Sequence, residues 1–367
     1  MPKRRPAKKR SPAAAVLLAV LCLLLLAVSR YLDSRSEPAA SVLAPEAAQA
    51  DASGLEVHFL DIGQGDSALL FCGDETLLID GGKVKNNQKL IARLKELEVD
   101  HLDAVICSHP DEDHCGGLSA VLASTRTDAF YCSVDSWHTK VFSDVTKYVE
   151  QQGISVTVPQ AGDTFAFSDA SVEFLGPVVD YGDDPNEGSL VARVRYGETS
   201  FLFTGDMGFE AEDDMLAAGV DVSATVLKVA HHGSAGSSST EFLQAVHPQY
   251  AVISVGADND YGHPTEAALN RLSSCGIPVY RTDLLGEIIA VSDGKTVTMT
   301  TASNETPSAD AASQPTGSYG YVGNSSSKVV HLAGCGKLPG ESNRVYFASL
   351  DEALAAGYRK HANCLGN

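Results

Sequence analysis

The residues with the densest chemistry are Ser108-His109-Pro110-Asp111-Glu112-Asp113-His114-Cys115-Gly116-Gly117. Two imidazoles and three carboxylates fall between His109 and His114. Packing does not account for that density, because clustered carboxylates repel one another unless a cation neutralises them. His and Asp together suit Zn²⁺ and Mn²⁺. A solvated acidic loop is the plainer reading, but such loops seldom follow a buried strand directly, and Asp103–Cys107 reads as one. Gly116 to Leu122 then reads as a helix start. The stretch is read as a metal site at the C-terminal end of a strand.

His109-x-Asp111-x-Asp113-His114 resembles the H-x-H-x-D-H signature of the metallo-β-lactamase fold, with Asp111 at the second His. In that substituted form it is similar to the C-terminal extracytoplasmic domain of the ComEC competence proteins. Asp61-Ile-Gly-Gln-Gly-Asp66, Leu78-Ile-Asp-Gly-Gly82, Thr204-Gly-Asp206 and Lys228-Val-Ala-His-His-Gly-Ser234 extend the likeness. It covers Leu55 to Thr301, and several ordered motifs are more specific than any one alone.

The resemblance implies an α/β fold, the αββα sandwich, holding two divalent metal ions, Zn or Mn. Its implied metal ligands are His109, Asp111, Asp113, His114, Asp206 and His231, with Asp206 bridging. A further His of the superfamily is replaced by Asp184-Pro-Asn-Glu-Gly-Ser189, so Asn186 and Ser189 are expected to line the site. Asp80 is expected to orient ligand imidazoles through their second N–H. Asp61, Gln64 and Asp66 form a turn that reaches or shapes the site, and Lys228 leads into its last motif. Asp113, His232 and His263 are the candidates for the catalytic step, by substrate contact or proton transfer. For His232 and His263 the plainer reading is a hydrogen-bonded structural histidine. His263 lies just before a helix start, where an anion could dock.

Metals at such a centre lower the pKa of water and stabilise negative charge on the attacked group, which suits phosphodiester hydrolysis. The implied substrate is single-stranded or duplex DNA outside the cell. ComEC proper also has a multi-helix channel, whereas this chain offers one hydrophobic span, so a membrane-tethered relative is expected.

Composition qualifies that expectation. The 367 residues are 44% hydrophobic and 20% charged, ordinary for a globular chain. Residues 1–30 hold seven of the 27 Lys/Arg and no acid, leaving 20 basic against 47 acidic residues beyond them, a balance of −27. Such a surface repels nucleic acid unless a local patch or metal overrides it, and counts against a simple DNA-binding module.

Elements that would position the site follow in order. Residues 1–30 read as a basic cytoplasmic tail and transmembrane anchor: Lys3 to Arg10 is basic and Ser11 to Ser29 is uncharged. A cleaved signal peptide, giving a secreted protein, is the rival reading. Residues 31–54 are a tether. From 55 to 301, strands are expected at 56–60, 68–72, 76–79, 103–107, 172–175, 190–194, 200–203, 224–228, 250–254, 279–280 and 287–291. Helices are expected at 89–99, 145–152, 210–218, 240–245 and 265–274. Most cysteines fall in apolar strand patterns, which suits buried thiols.

Residues 302–318, rich in Ser, Thr, Ala, Pro and Asp, read as a second linker. Beyond it, His331-x₃-Cys335 and His361-x₂-Cys364 pair at zinc-site spacing. With Tyr321–Asn324 and Val345–Tyr358, the unit over 319–367 resembles the small zinc-binding domain of the Ada DNA-repair protein. That family uses four Cys, so His331 and His361 are departures, and a structural zinc is expected rather than a reactive one. The unit is expected to fold separately and to target the enzyme.

Three functions compete: an extracytoplasmic metal-dependent nuclease or phosphodiesterase, a hydrolase of cell-surface polymers such as phosphorylcholine-bearing teichoic acid, and a non-catalytic surface binding protein. A full ligand set argues against the third, because structural zinc sites are usually closed. The acidic balance leans toward the second. The basic tail before the apolar span predicts that residues 31–367 lie outside the cytoplasmic membrane. A reporter fused after Asn367 that is active only in the cytoplasm would contradict this.

Overall fold

A computed structural model describes residues 54–257, 259–302, 321–332, 337–340, 343–347, 350–361 and 364. The expected membrane anchor, both linkers and Cys335 lie outside the described residues. Among the described residues, no helix is long and apolar enough to cross a membrane.

The first half of the sandwich contributes β1 (Leu55–Phe59), β2 (Ala68–Cys72), β3 (Glu75–Ile79), β4 (His101–Cys107), β5 (Arg126–Cys132) and β6 (Val156–Thr157). Between them lie α1 (Asn87–Glu96), α2 (Glu112–Cys115), α3 (Leu118–Ser124) and α4 (Lys140–Gln151). The second half adds β7 (Thr164–Phe167), β8 (Ala170–Gly176), β9 (Val191–Tyr196), β10 (Thr199–Phe203), β11 (Val226–Lys228), β12 (Tyr250–Ile253) and β13 (Val279–Arg281). Its helices are α5 (Phe209–Ala217), α6 (Thr240–Val246) and α7 (Glu266–Ser274). β14 (Ile288–Ser292) and β15 (Val297–Thr301) then return to the first sheet.

That sheet runs β15-β14-β1-β2-β3-β4-β5-β6, and the second runs β13-β12-β11-β10-β9-β8-β7. β3 to β6 pair in parallel, as do β10 to β13. Parallel neighbours need crossover connections, and helices supply them on the outer faces.

Three apolar layers result. Phe59, Leu70, Ile106, Phe174, Phe201 and Val252 fill the space between the sheets. Leu90, Val105, Leu118, Phe130 and Phe142 pack helices on the first sheet, while Leu202, Leu227, Phe242 and Leu272 pack them on the second. This is the αββα sandwich that the resemblance implied.

Most expected elements fall within a few residues of the observed ones. β5 went unread because Arg126 and Asp128 break up its apolar face. α4 begins five residues before the expected start, where the Thr139 hydroxyl accepts from the Phe142 amide at 3.3 Å. That cap sets Phe142, Val145 and Val149 on one buried stripe.

After residue 320, β16 (Tyr321–Asn324), β17 (Val329–Leu332), β18 (Arg344–Phe347) and β19 (Arg359–Lys360) form a four-stranded sheet ordered β18-β16-β17-β19. Its small core is Val330, Phe347, Ala353 and Tyr358. A Cβ on Gly323 would lie 2.5 Å from the Tyr358 ring, so that core requires glycine there. β18 lies against α7, so the tail unit touches the sandwich.

One polar cluster also ties the fold together. Buried His58 on β1 holds Glu56 at Nε2 and Glu287 at Nδ1, each at 2.6 Å, and Arg93 of α1 pairs with Glu287 at 2.7 Å. Burial opposes charge on His58, but the two carboxylates carry its pKa above the ordinary value. A raised histidine stabilises the fold fully below its unfolded pKa of about 6.5, and that contribution disappears as pH rises through the folded value. The melting-temperature gap between wild type and His58→Gln should therefore be widest near pH 6 and shrink by pH 9. A gap that grows with pH rejects this account.

Candidate metal centre

The site forms where the C-terminal ends of β3, β4, β10 and β11 meet across the two sheets. Ile79 of β3 faces Ile106 of β4 in register, which puts Asp80 and Ser108 side by side just past the strand ends. The Asp80 carboxylate accepts from the Ser108 amide at 2.7 Å, the Ser108 hydroxyl at 2.8 Å and His114 Nδ1 at 2.9 Å. Asp80 itself has φ 60, a left-handed conformation unusual for a residue other than glycine. Backbone contact fixes it there: Gly81 N donates to His114 O at 2.7 Å, and Gly117 N to Gly82 O at 2.8 Å. A Cβ on Gly117 would stand 2.0 Å from Gly81 O, so the two glycine pairs can close only without side chains.

Three imidazoles at the centre, those of His109, His114 and His232, are held from behind. His114 Nδ1 faces Asp80. His232 Nδ1 faces the Ser254 carbonyl at 2.9 Å and Asp66 Oδ1 at 3.0 Å. His109 Nδ1 lies 3.1 Å from the Ser108 hydroxyl and 3.3 Å from that of Ser189. With acceptors behind Nδ1, the proton of each neutral ring belongs there and Nε2 carries a bare lone pair. All three Nε2 atoms are buried without a hydrogen-bond partner, as is Asp206 Oδ1.

Asp206 stands among them. Its Oδ1 lies 3.0 Å from His114 Nε2, and its Oδ2 lies 3.6 Å from both His231 and His232 Nε2. The close His114–Asp206 pair lacks hydrogen-bond directionality. Ligands of a shared cation are arranged in this way. Asp113 Oδ2 lies 3.7 Å from His232 Nε2, and Asp111 Oδ2 lies 4.0 Å from His109 Nε2. Donor atoms of Asp66, His114, Asp206 and His232 all fall within 4.8 Å of one another. The donor set fits a divalent cation: bare imidazole nitrogens and carboxylate oxygens suit Zn²⁺ or Mn²⁺.

Electrostatics agree with that fit. Burial, then the neighbouring His114, push His109 well below its ordinary pKa and keep it neutral. Burial also opposes charge on His114 and His232, yet Asp206 with Asp80 or Asp66 raises both. Against the same burial, His114 and His232 hold Asp206 well below the carboxylate range. The carboxylates thus favour positive charge at this spot, and a divalent ion would satisfy them while releasing protons.

The remaining expected residues take distinct places. Asp66 is matched at Oδ2 by buried Lys228 at 2.5 Å and stands with its Oδ1 3.0 Å behind His232 Nδ1, whose hydrogen bond goes to the Ser254 carbonyl. Ser189 accepts from the Asp206 amide at 3.1 Å and so links two ligand loops. Gln64 accepts from Gly256 N at 3.2 Å, while the Asn186 side-chain oxygen is buried without a partner. Asp61 turns away: it accepts from Gly63 N at 3.3 Å and pairs with Lys89 at 2.9 Å, so it shapes the turn only. His263 stands edge-on to the His231 ring beside the centre, with centroids 5.5 Å apart. Burial, then His231 and His232, lower His263 to about 4.

His231 and His232 differ from the sequence expectation. The His231 side chain is 30% exposed, whereas that of His232, expected in proton transfer, is buried with its Nε2 on Asp206 and Asp113. Consecutive left-handed residues, φ 50 and 52, set the two rings nearly perpendicular, at 83°, with both Nε2 atoms reaching Asp206 Oδ2. Such a backbone persists only when its surroundings hold it. Arg271 binds the carbonyls of Ala235, Ser237 and Ser238 at 3.1, 2.6 and 2.8 Å, and buried Glu212 takes the Ser238 and Ser239 amides.

Sequence reasoning missed Ser108, Ser254 and Lys83. Lys83 Nζ lies 3.8 Å from Asp113 and 3.0 Å from the Tyr261 hydroxyl. Ser108 adjoins the ligand motif and was within reach of inspection; the other two carry no local signal. Buried thiols add support, since Cys107 donates to the His109 carbonyl and Cys115 to that of Pro110, both at 3.1 Å.

The sequence pattern described as "Metallo-beta-lactamase superfamily" matches residues 60–257, more than half of the chain. The chain belongs to that superfamily. It is 31% identical over 251 residues to ComE operon protein 3 of Bacillus subtilis (strain 168), covering 64% of this chain and 32% of the relative. It is 34% identical over 287 residues to Competence protein ComA of Neisseria gonorrhoeae, covering 76% of this chain and 38% of the relative. The chain thus spans about a third of the length of these curated relatives. Among solved structures, the metallo-β-lactamase fold protein YhfI from Bacillus subtilis is similar with a TM-score of 0.44 and 14% identity, over 62% of this chain and 96% of that one.

At the tail, His331, His361 and Cys364 bring ligand-type atoms within 4.8 Å of one another. His361 Nδ1 lies 3.2 Å from Cys364 Sγ, and His331 Nδ1 is buried without a partner. These are three of the four expected zinc ligands.

Removing a carboxylate behind a ligand imidazole typically costs 10–100-fold in metal affinity, on the order of the effect expected for Asp80→Ala. Titration of the metal-stripped protein with Mn²⁺ or Zn²⁺ measures it. Unchanged affinity in a folded variant rejects the role given to Asp80.

Proposed function

We propose that this protein is a membrane-tethered, extracytoplasmic, metal-dependent phosphodiesterase or nuclease acting on DNA. The observation that carries the reading is the convergence of the unpartnered His114 and His232 Nε2 atoms on the Asp206 carboxylate, with the unpartnered His109 Nε2 beside Asp111. His109, His114, His231, His232, Asp111, Asp113 and Asp206 would hold two ions, Zn²⁺ or Mn²⁺. When bound, the ions supply Lewis acidity and lower the pKa of water.

The chain's own groups do the rest. Asp80 and Asp66 keep protons on Nδ1 of His114 and His232, which aims Nε2 inward. His263, neutral at physiological pH and part-buried at the rim, is placed to accept a proton or contact substrate. Replacing an imidazole with Asp111 hardens the site and shifts its preference toward Mn²⁺. The competence relatives support DNA as the substrate, and the basic tail with its uncharged span supports the tether. At the tail, His331, Cys335, His361 and Cys364 would hold one structural zinc.

A second reading, hydrolysis of a cell-surface polymer such as a phosphorylcholine ester, is favoured by the −27 balance beyond residue 30. A panel of single-stranded DNA, duplex DNA, RNA, bis-p-nitrophenyl phosphate and phosphorylcholine esters, with Mn²⁺ and Zn²⁺, separates the two. Diesters should be hydrolysed by wild type, and Asp113→Ala should lose turnover and metal content together. Turnover of choline esters alone would favour the second reading. Wild-type rates in Asp113→Ala would reject the site itself.

A further inference from the structure

The mouth of the centre carries an aromatic that the mechanism does not use. Tyr261 is 58% exposed, an unusual state for a large ring beside a buried polar site. One face stacks on His263, with ring centroids 5.8 Å apart and an interplanar angle of 24°. His263 in turn stands against His231, so the rings step outward from the metal ligands. The loop is fixed from inside: Asn259 accepts from the His263 amide at 2.9 Å and donates to its carbonyl at 2.7 Å. Lys83 closes the group, 3.0 Å from the Tyr261 hydroxyl, 4.8 Å over its ring and 3.8 Å from Asp113.

We propose that Tyr261 and Lys83 form a nucleotide subsite, with Tyr261 stacking on an unpaired base and Lys83 pairing with the adjoining phosphate. This rests on the phosphodiesterase reading and deepens it, since a base must leave its duplex to stack there. The substrate end is single-stranded. Base–aromatic stacking tolerates every base, because each has a π-face. His263 covers one face of the ring and Lys83 Nζ stands over it at 4.8 Å, so a base takes that place only as Lys83 moves to the adjoining phosphate, whereas a choline headgroup, which also binds aromatic faces, would bring a second cation against the same ammonium. Lys83 also supplies a local positive charge at the mouth of a strongly acidic chain.

The test uses the whole chain carrying Asp206→Asn, so that binding is read without turnover, with fluorescein-labelled oligothymidylate as the probe. Tyr261→Ala should weaken binding about tenfold or more, and Tyr261→Phe, which keeps the ring, should stay within about twofold of the parent. Lys83→Ala should weaken binding and reduce the salt slope by about one. Blunt duplex of the same length should bind more weakly than the single strand. Equal loss in Tyr261→Ala and Tyr261→Phe, no loss in either, or competition by phosphorylcholine at matched concentration overturns the subsite. Turnover is measured separately in the otherwise wild-type chain. A protein that stacks oligothymidylate through Tyr261 but hydrolyses no diester keeps the subsite and loses the parent reading. One that hydrolyses bis-p-nitrophenyl phosphate but binds single strands no better than duplex keeps the parent reading and loses the subsite.

Discussion

The Asp80 carboxylate is the constraint on which the site depends. It is 2% exposed, and its contacts satisfy it through one amide, one hydroxyl and one imidazole. A buried carboxylate left unpaired is costly, so these partners are obligatory rather than ornamental. They join the end of β3 to the loop after β4 and fix the tautomer of His114. That tautomer decides where the bare nitrogen points. The Gly81–Gly82 and Gly116–Gly117 backbones close around the same junction, so the geometry is set by main chain as much as by side chains.

Asp66, on the turn between β1 and β2 of the same sheet, repeats the device for a ring of the other sheet, with one difference. Lys228 neutralises it directly, leaving the carboxylate able to hold His232 without needing a second cation. Behind each of the two rings stands an anion, and in front of both stands Asp206. Charge therefore alternates from the protein interior outward, and a cation at the centre completes the alternation. Burial pushes the Cys107 and Cys115 thiols up, which keeps their protons on sulfur as donors to the ligand loop.

Much of this was legible from sequence because each motif is local. His109 to His114 follows its strand at once, and Thr204-Gly-Asp206 and Lys228 to Ser234 do the same on the second sheet. Alternating apolar residues gave most strands, and the ordered motifs gave the sandwich. What escaped depends on residues distant in sequence. Nothing near Lys83 announces Tyr261, and nothing near His58 announces Glu287. The crossed rings of His231 and His232 arise from two left-handed residues, a conformation that sequence does not advertise outside glycine. Asp61 was grouped with its neighbours by motif, but the turn sends its side chain outward to Lys89.

The order of strands in the first sheet has a consequence for how the molecule comes into being. β1 pairs on one side with β2, its next strand, and on the other with β14, where Leu55 meets Ser292. Until the ribosome has delivered that distant partner, the Leu-Glu-Val-His-Phe edge has unpaired amides beside an unfinished apolar layer. Such edges recruit strands from other chains, and distant pairings of this kind form slowly. Acid at Glu56 and a basic ring at His58 interrupt that edge with polar groups while it waits. His58, which later clasps Glu287, and Glu56 bound to it are thus placed as polar gatekeepers of this edge.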